Sequence, residues 1–166
     1  MTELAAFSAQ ARADTPLGPI TVAATERGLV GIWFDGQKHH PGPLEVPVDP
    51  SQRWIAQALA ELAAYWRDGQ TAFTVPLDPS GSDFQRDVWD ALQRIEAGRT
   101  VSYGALAASL GRGSAVRAVA AAVGRNPLSV IVPCHRVLGA DGSLTGYAGG
   151  VERKAALLQL EGARIA

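Results

Sequence analysis

Val130-Ile131-Val132-Pro133-Cys134-His135-Arg136-Val137 holds the one cysteine of this 166-residue chain. A β-branched run leads into it and reads as extended. A proline stiffens it, and an imidazole and a guanidinium follow the thiol. A single cysteine cannot close an internal disulfide, and alone it supplies too few ligands for a zinc site. Free cysteine is often only a small buried hydrophobe. Here cationic neighbours favour the thiolate, the form that reacts. Cys134 therefore reads as a nucleophile. Neighbours in an extended segment point apart, so a water or a turn must link Cys134 to His135.

Outward from this stretch, the charge changes sign along the chain. Residues 1–83 carry 5 basic and 10 acidic side chains, and residues 84–166 carry 10 basic and 6 acidic, giving −5 and +4. No acidic residue lies between Glu96 and Asp141, where Arg99, Arg112, Arg117, Arg125 and Arg136 all fall. Such a local basic surface suits a phosphate backbone, although a solvated face looks the same without an accompanying motif. Hydrophobic residues make up 47% and charged residues 19%, as in an ordinary soluble globular chain. No apolar run is long enough to span a bilayer, and Met1-Thr2-Glu3-Leu4 shows no signal-peptide pattern. A lone cysteine fits a reducing, cytoplasmic setting.

Upstream, three short apolar runs separated by turn chemistry predict a β-meander: Phe7–Ala11, Ile20–Ala24 and Leu29–Phe34. Gly36 to Pro50 is rich in proline and lacks periodicity, which makes it a loop, and His39-His40 reads as a solvated pair within it. Ser51 can cap a helix over Gln52–Asp68, stopped by Gly69. Its stripe is Trp54, Leu59, Leu62, Tyr65 and Trp66. Phe73–Leu77 reads as a short strand. Asp78-Pro79-Ser80-Gly81 marks a boundary, and a second helix starts at Ser82 or Asp83 with Phe84, Val88, Trp89, Leu92 and Ile95 on one face.

Next comes a helix–turn–helix. Ser102 caps a helix from Tyr103 to Leu110, with Leu106 and Leu110 inward, and Gly111-Arg112-Gly113 turns the chain. Ser114 is then expected to cap Ala115–Val123, with Val116, Val119, Ala120 and Val123 as the buried stripe. The opposite face would carry Arg117, Ala118, Ala121, Ala122 and Gly124. A usual recognition helix reads bases with several polar side chains. This one has a single long probe, Arg117, among very small residues. That suits close, sequence-independent approach to a groove and displacement of a base. Tight helix packing is the duller account of the same alanines.

With these residues in view, the chain resembles the O6-alkylguanine-DNA alkyltransferases, also called methylated-DNA–protein-cysteine methyltransferases. The resemblance rests on Val132–Val137, Arg125-Asn126-Pro127, Thr145-Gly146-Tyr147-Ala148-Gly149-Gly150 and Leu157-Leu158-Gln159-Leu160-Glu161-Gly162, with Val101-Ser102-Tyr103-Gly104 and Arg117-Ala118-Val119 also in place. It covers about residues 82–162, and the N-terminal part is compatible but less specific.

The resemblance implies a DNA repair protein that flips O6-alkylguanine from duplex DNA and transfers the alkyl group to Cys134, once and irreversibly. Unstacking the base costs on the order of a few kcal/mol and is cheapest for a weakly paired, damaged base. Cys134, His135, Glu161, Asn126 and Tyr103 take the catalytic roles. Glu161 orients His135, which removes the thiol proton through a water. Asn126 orders the loop before Cys134. Tyr103 presses on the flipped nucleotide's phosphate and offers its hydroxyl to guanine N3. Arg117 fills the gap in the stack, with Tyr103, Ser114, Ala118, Ala121, Arg125 and Arg136 also at the DNA. Tyr147, Ala148, Val137 and Gly149 form the alkylguanine pocket, and backbone groups of Cys134, Val137 and Ala148 read the guanine edge.

The implied partner is double-stranded DNA containing O6-alkylguanine. No membrane partner and no cofactor are expected, and the chain is expected to be a monomer in solution, with cooperativity on DNA left open. Some members hold zinc through N-terminal Cys and His; with one cysteine, no metal site is expected here. Ala148 stands where some members have Ser, and Arg125 where some have Gly. Two other functions compete: a damage sensor of the alkyltransferase-like kind, which lacks the reactive cysteine, and a cysteine hydrolase, which leaves the helix–turn–helix unexplained. The expected fold is α/β: a small N-terminal sheet plus helix in residues 1–80, then a mostly helical DNA-binding and transferase domain in 81–166.

Overall fold

Turn residues fold the first three apolar runs back on one another. In the computed structural model, which describes residues 7–163, β1 (Ala9–Ala13), β2 (Ile20–Ala24) and β3 (Leu29–Phe34) form an antiparallel meander. Met1–Leu4, where no leader was expected, lies outside the described residues. Ala11 faces Val22, and Val22 faces Ile32, across the sheet. β1 begins later than expected, and Phe7 instead packs against Ala23, Val30 and Trp33. Every residue of β2 and β3 is buried because both faces are covered. The 36–50 loop is tied over one face, where Gln10 Nε2 donates to the carbonyls of Leu44 (2.8 Å) and Val46 (2.9 Å).

The first helix, α1 (Arg53–Asp68), covers the other face with Ile55, Ala58, Leu62 and Tyr65. Its cap is Gln52, whose side-chain oxygen accepts from Trp54 and Ile55 backbone N–H groups, not Ser51, which donates to Asp49 at 2.6 Å. Phe73–Leu77 is not a strand. Only Leu77 pairs, in a single bridge with Leu29. α2 (Asp83–Leu92) starts in a capping box of Ser82 and Gln85 and buries Val88, Trp89, Ala91 and Leu92.

The rest is mostly helical. β4 (Val101–Ser102) pairs in parallel with β5 (Val137–Leu138), α3 spans Tyr103–Ser109, α4 spans Val116–Gly124 and α5 spans Val151–Leu160. Ser102 caps α3 by accepting from the Ala105 N–H at 3.0 Å. Ser114 caps nothing: α4 begins from Ala115 without a side-chain cap. The α4 stripe is also rotated from expectation. Val119, Ala122 and Val123 are buried, whereas Ala120 is only partly so. Ala122 was expected outside. It is held in because its carbonyl accepts from Trp89 Nε1 at 2.9 Å. Burying Val119 and Val123 contributes roughly 1.5–3 kcal/mol each.

Candidate active site

The β-branched run before Cys134 does not form a strand. The edge of β3 captures the chain just upstream: Ile32 N donates to Pro127 O (2.8 Å) and Ser129 N to Ile32 O (3.2 Å). The chain then turns, with Val132 N donating to Leu128 O at 3.0 Å. Val130 takes a left-handed φ of 74° while 1% exposed. For a β-branched residue this conformation costs on the order of 1–3 kcal/mol and survives only where the surroundings enforce it. Buried Asn126 is one enforcing group: its Oδ1 accepts from Leu128 N (2.9 Å) and its Nδ2 donates to Val132 O (2.8 Å). A single amide thus clamps both sides of the strained residue.

The clamped turn ends in a 3-10 turn over Cys134–Arg136. The turn sends consecutive side chains to different places. Cys134 reaches the floor of a pocket of about 690 Å³. His135 and Arg136 go the opposite way, to Glu161 at the end of α5. His135 Nε2 lies 2.8 Å from Glu161 Oε2, and Arg136 forms a two-point pair with the same carboxylate at 2.8 Å on each side. Tyr65 of α1 donates its hydroxyl to Oε2 at 2.5 Å.

These contacts set the protonation states. Burial alone would raise the Glu161 pKa, but hydrogen bonds from Arg136, His135 and Tyr65 outweigh it and hold the carboxyl at about 2. Burial depresses the His135 imidazole below its ordinary value, further than the Glu161 hydrogen bond raises it. His135 is therefore neutral near pH 7. A carboxylate only accepts, so the shared proton sits on Nε2 and leaves Nδ1 with a free lone pair. That Nδ1 is buried and has no hydrogen-bond partner among the described residues.

Cys134 departs from its expected state. Burial pushes its thiol up to about 11, against the pull of the Asn126 hydrogen bond and the Lys154 charge. The Arg136 charge expected to favour the thiolate is spent on Glu161. In the free protein the sulfur is a neutral thiol that needs a base.

The pocket draws its walls from three regions. Tyr103, Ala120, Ala121, Gly124 and Arg125 come from the helix–turn–helix and the residue that follows it, Tyr147 and Ala148 from the loop before α5, and Lys38 and His39 from the N-terminal loop. The small face of α4 thus borders the mouth above Cys134. β4–β5 pairing sets Tyr103 beside the cysteine segment. Ser114, Arg117 and Ala118 are exposed on the same motif but do not line the pocket.

Three expected site residues lie elsewhere. Arg136 was expected at the DNA, but it is 8% exposed and bound to Glu161 and the Ile95 carbonyl. Val137 and Gly149 were expected in the pocket. Both are buried outside its lining, and their carbonyls accept from Lys154 (2.6 Å) and Arg153 (3.0 Å).

Sequence reading also missed residues. Lys154 is fully buried and donates to Val137 O, Thr145 O (2.9 Å) and Gly146 O (3.3 Å), pinning the pocket loop. Burial lowers its pKa to about 8. Its signal was a lysine sharing a helical stripe with Leu157, Leu158 and Glu161. Lys38 and His39 are exposed loop residues, as the sequence predicts for His39, and they also reach the pocket. The Lys38 N–H donates to Ala148 O at 2.8 Å and brings both to the rim.

A thiol under a helix–turn–helix, with a neutral imidazole and a carboxylate behind it, defines a DNA-acting protein with a cysteine nucleophile. Comparison with known proteins narrows the class. Residues 83–163 match the DNA binding domain of 6-O-methylguanine DNA methyltransferase, and residues 10–79 match its ribonuclease-like domain. The chain is 45% identical over 151 residues to the methylated-DNA–protein-cysteine methyltransferase of Mycobacterium tuberculosis, covering 91% of this chain and 90% of that one. It is 42% identical over 160 residues to the bifunctional transcriptional activator/DNA repair enzyme Ada of Escherichia coli, covering 91% of this chain and 44% of Ada. The crystal structure of Mycobacterium tuberculosis OGT in complex with DNA superposes with a TM-score of 0.84 at 44% identity, covering 93% and 92% of the two chains. The chain belongs to the 6-O-methylguanine DNA methyltransferase family.

Proposed function

We infer that this protein repairs DNA by flipping O6-alkylguanine out of the duplex and moving the alkyl group onto Cys134. The observation that carries this reading is a single thiol opening into a pocket of about 690 Å³, with room for a nucleobase, beneath a helix–turn–helix, with an unpartnered His135 Nδ1 in the next residue. Cys134 Sγ attacks the alkyl carbon, a sulfur–carbon bond forms, and the carbon–O6 bond breaks. The thiol proton passes to His135 Nδ1 through a bridging water, and the departing guanine takes up one proton, so the thiol proton is balanced on the base. The product is an alkyl thioether, whose carbon–sulfur bond is inert to hydrolysis because a neutral thioether offers a poor, strongly basic leaving group. Each molecule acts once.

Asn126 holds the turn that presents the thiol. Tyr103 supplies a hydroxyl toward the flipped base. Tyr147, Ala148 and the backbone of Cys134 contact the guanine, and Lys38 and His39 border it. Arg117 occupies the gap in the stack, while Ser114, Ala118, Ala121 and Arg125 meet the backbone and groove. Residues 1–80 and 81–166 act as two domains that share the site. The protein works as a monomer in the cytoplasm, a setting that suits its lone reduced thiol. Among the described residues no helix is long and apolar enough to cross a membrane.

Incubation with duplex DNA carrying O6-methylguanine tests the reading. The expected result is a mass gain of one methylene on Cys134, one per protein, with guanine restored. Lesion binding without a mass change indicates a sensor and overturns it. Continued turnover indicates a hydrolase and also overturns it.

A further inference from the structure

Tyr65 belongs to α1, packed against the N-terminal sheet, yet its hydroxyl reaches the carboxylate behind the nucleophile. It is fully buried and donates to Glu161 Oε2 at 2.5 Å, the oxygen that also faces His135 Nε2. Two further contacts join the end of α1 to the end of α5. Gln70 Nε2 donates to the Glu161 carbonyl at 3.0 Å. Gly69 sits so close that a Cβ there would lie 2.4 Å from the Leu160 carbonyl oxygen. The C-terminus of α1 thus grips Glu161 by side chain and backbone.

We propose that Tyr65 is a positioning residue of the proton relay, through which the N-terminal part of the chain sets the basicity of His135. The inference rests on the alkyl-transfer reading for its kinetic consequence, but not for its effect on the imidazole. A carboxylate oxygen shared between a phenol and an imidazole N–H gives each a weaker bond than it would give one alone. A hydrogen bond to a charged group is stronger than one between neutral groups, enough to matter for a neighbour on the same atom. Tyr65 therefore restrains Glu161 from drawing a proton onto His135 and keeps Nδ1 a free base near neutrality.

The other groups facing this centre act in known directions. Arg136, from the 3-10 turn, pairs with Glu161 and opposes protonation of His135, as does Lys154 from α5. The Tyr147 ring lies 6.5 Å from the His135 ring, edge-on, and Cys134 is the adjoining residue. Tyr65 alone among these reaches the carboxylate from the N-terminal part.

The test is a ring-nitrogen NMR titration of His135 in the DNA-free protein, read beside the pH profile of single-turnover transfer. Only His39 and His40 must be told apart from His135. Tyr65→Phe is expected to raise the His135 pKa by about half a unit or more and to move the acid limb of the rate profile alkaline by the same amount. Replacing Tyr65 alone with 3-fluorotyrosine, a stronger donor of nearly the same shape, is expected to shift both acidic. Phe73→Leu alters the packing against the Tyr65 ring, 5.5 Å away, without touching the hydroxyl, and should leave the titration unchanged. A His135 titration that superimposes for wild type, Tyr65→Phe and the fluorinated protein overturns the inference, as does an equal shift from Phe73→Leu. If Tyr65→Phe does not fold, the fluorinated protein decides alone. Failure of wild-type transfer would remove the alkyl-transfer reading while leaving the titration to judge Tyr65.

Discussion

The rear of the site and its DNA-facing front are built on opposite principles. Behind Cys134, His135, Arg136 and Tyr65 converge on one buried carboxylate, and Asn126 clamps a strained turn. In front, Arg117, Ala118, Ala121 and Arg125 are exposed. The rear must hold a proton donor and acceptor in one fixed arrangement, and a buried, over-determined network does that. The front must accept a duplex and an extruded base, so it keeps its charge open and its side chains small. The contrast predicts that rear substitutions cost both stability and chemistry, while front substitutions cost function alone.

Cys134→Ala removes the only cysteine and is expected to abolish transfer while leaving DNA affinity unchanged. Mass spectrometry and a gel-shift titration check it; residual transfer would place the alkyl acceptor elsewhere. Glu161→Gln comes next. It leaves Arg136 buried beside a neutral amide and is expected to destabilise by about 3–5 kcal/mol in urea. Its pH dependence sharpens the point. The Glu161 pKa is lowered from 4.5 to about 2, so its stabilisation is present above about pH 4.5 and is lost as pH falls toward 2. Acid-unfolding curves should show that loss in the wild type and not in Glu161→Gln.

Asn126→Ala leaves the Leu128 N–H unmatched and takes one of two donors from the Val132 carbonyl, which keeps the Cys134 N–H, at about 1–3 kcal/mol, and should slow transfer because the Cys134 turn loosens. Wild-type transfer rate in a variant that has lost this stability would separate the clamp from the chemistry. Arg117→Ala tests the front. Stability should stay within about 0.5 kcal/mol. Lesion transfer should fall about tenfold, equivalent to about 1.4 kcal/mol in barrier, with little change in sequence preference. Undiminished repair would count against a role in filling the stack.

The last prediction concerns the thiol itself and needs no substitution. Burial holds the Cys134 pKa near 11, so alkylation by iodoacetamide should climb steadily between pH 7 and 10. A plateau near pH 8 would mean that the free protein already holds a thiolate.

Sequence by itself determined the three-stranded meander and the helix–turn–helix and singled out Cys134, whereas the roles of His135 and Glu161 came from the family resemblance. The first three declare themselves locally, by alternation, by helical period, or by a residue type with one dominant chemistry. Tertiary structure decided what depends on partners distant in the chain. Val130-Ile131-Val132 has the composition of a strand, but β3 captures Pro127 and Ser129 first and the chain must turn. Arg136 and Lys154 look like surface cations until a carboxylate and three carbonyls take them inside. Tyr65 follows the periodicity of a core residue, and nothing nearby in sequence reveals that its hydroxyl meets Glu161, 96 positions away. Hydrophobic pattern records which side chains leave water; where a buried polar atom finds its partner is settled only when separate elements pack.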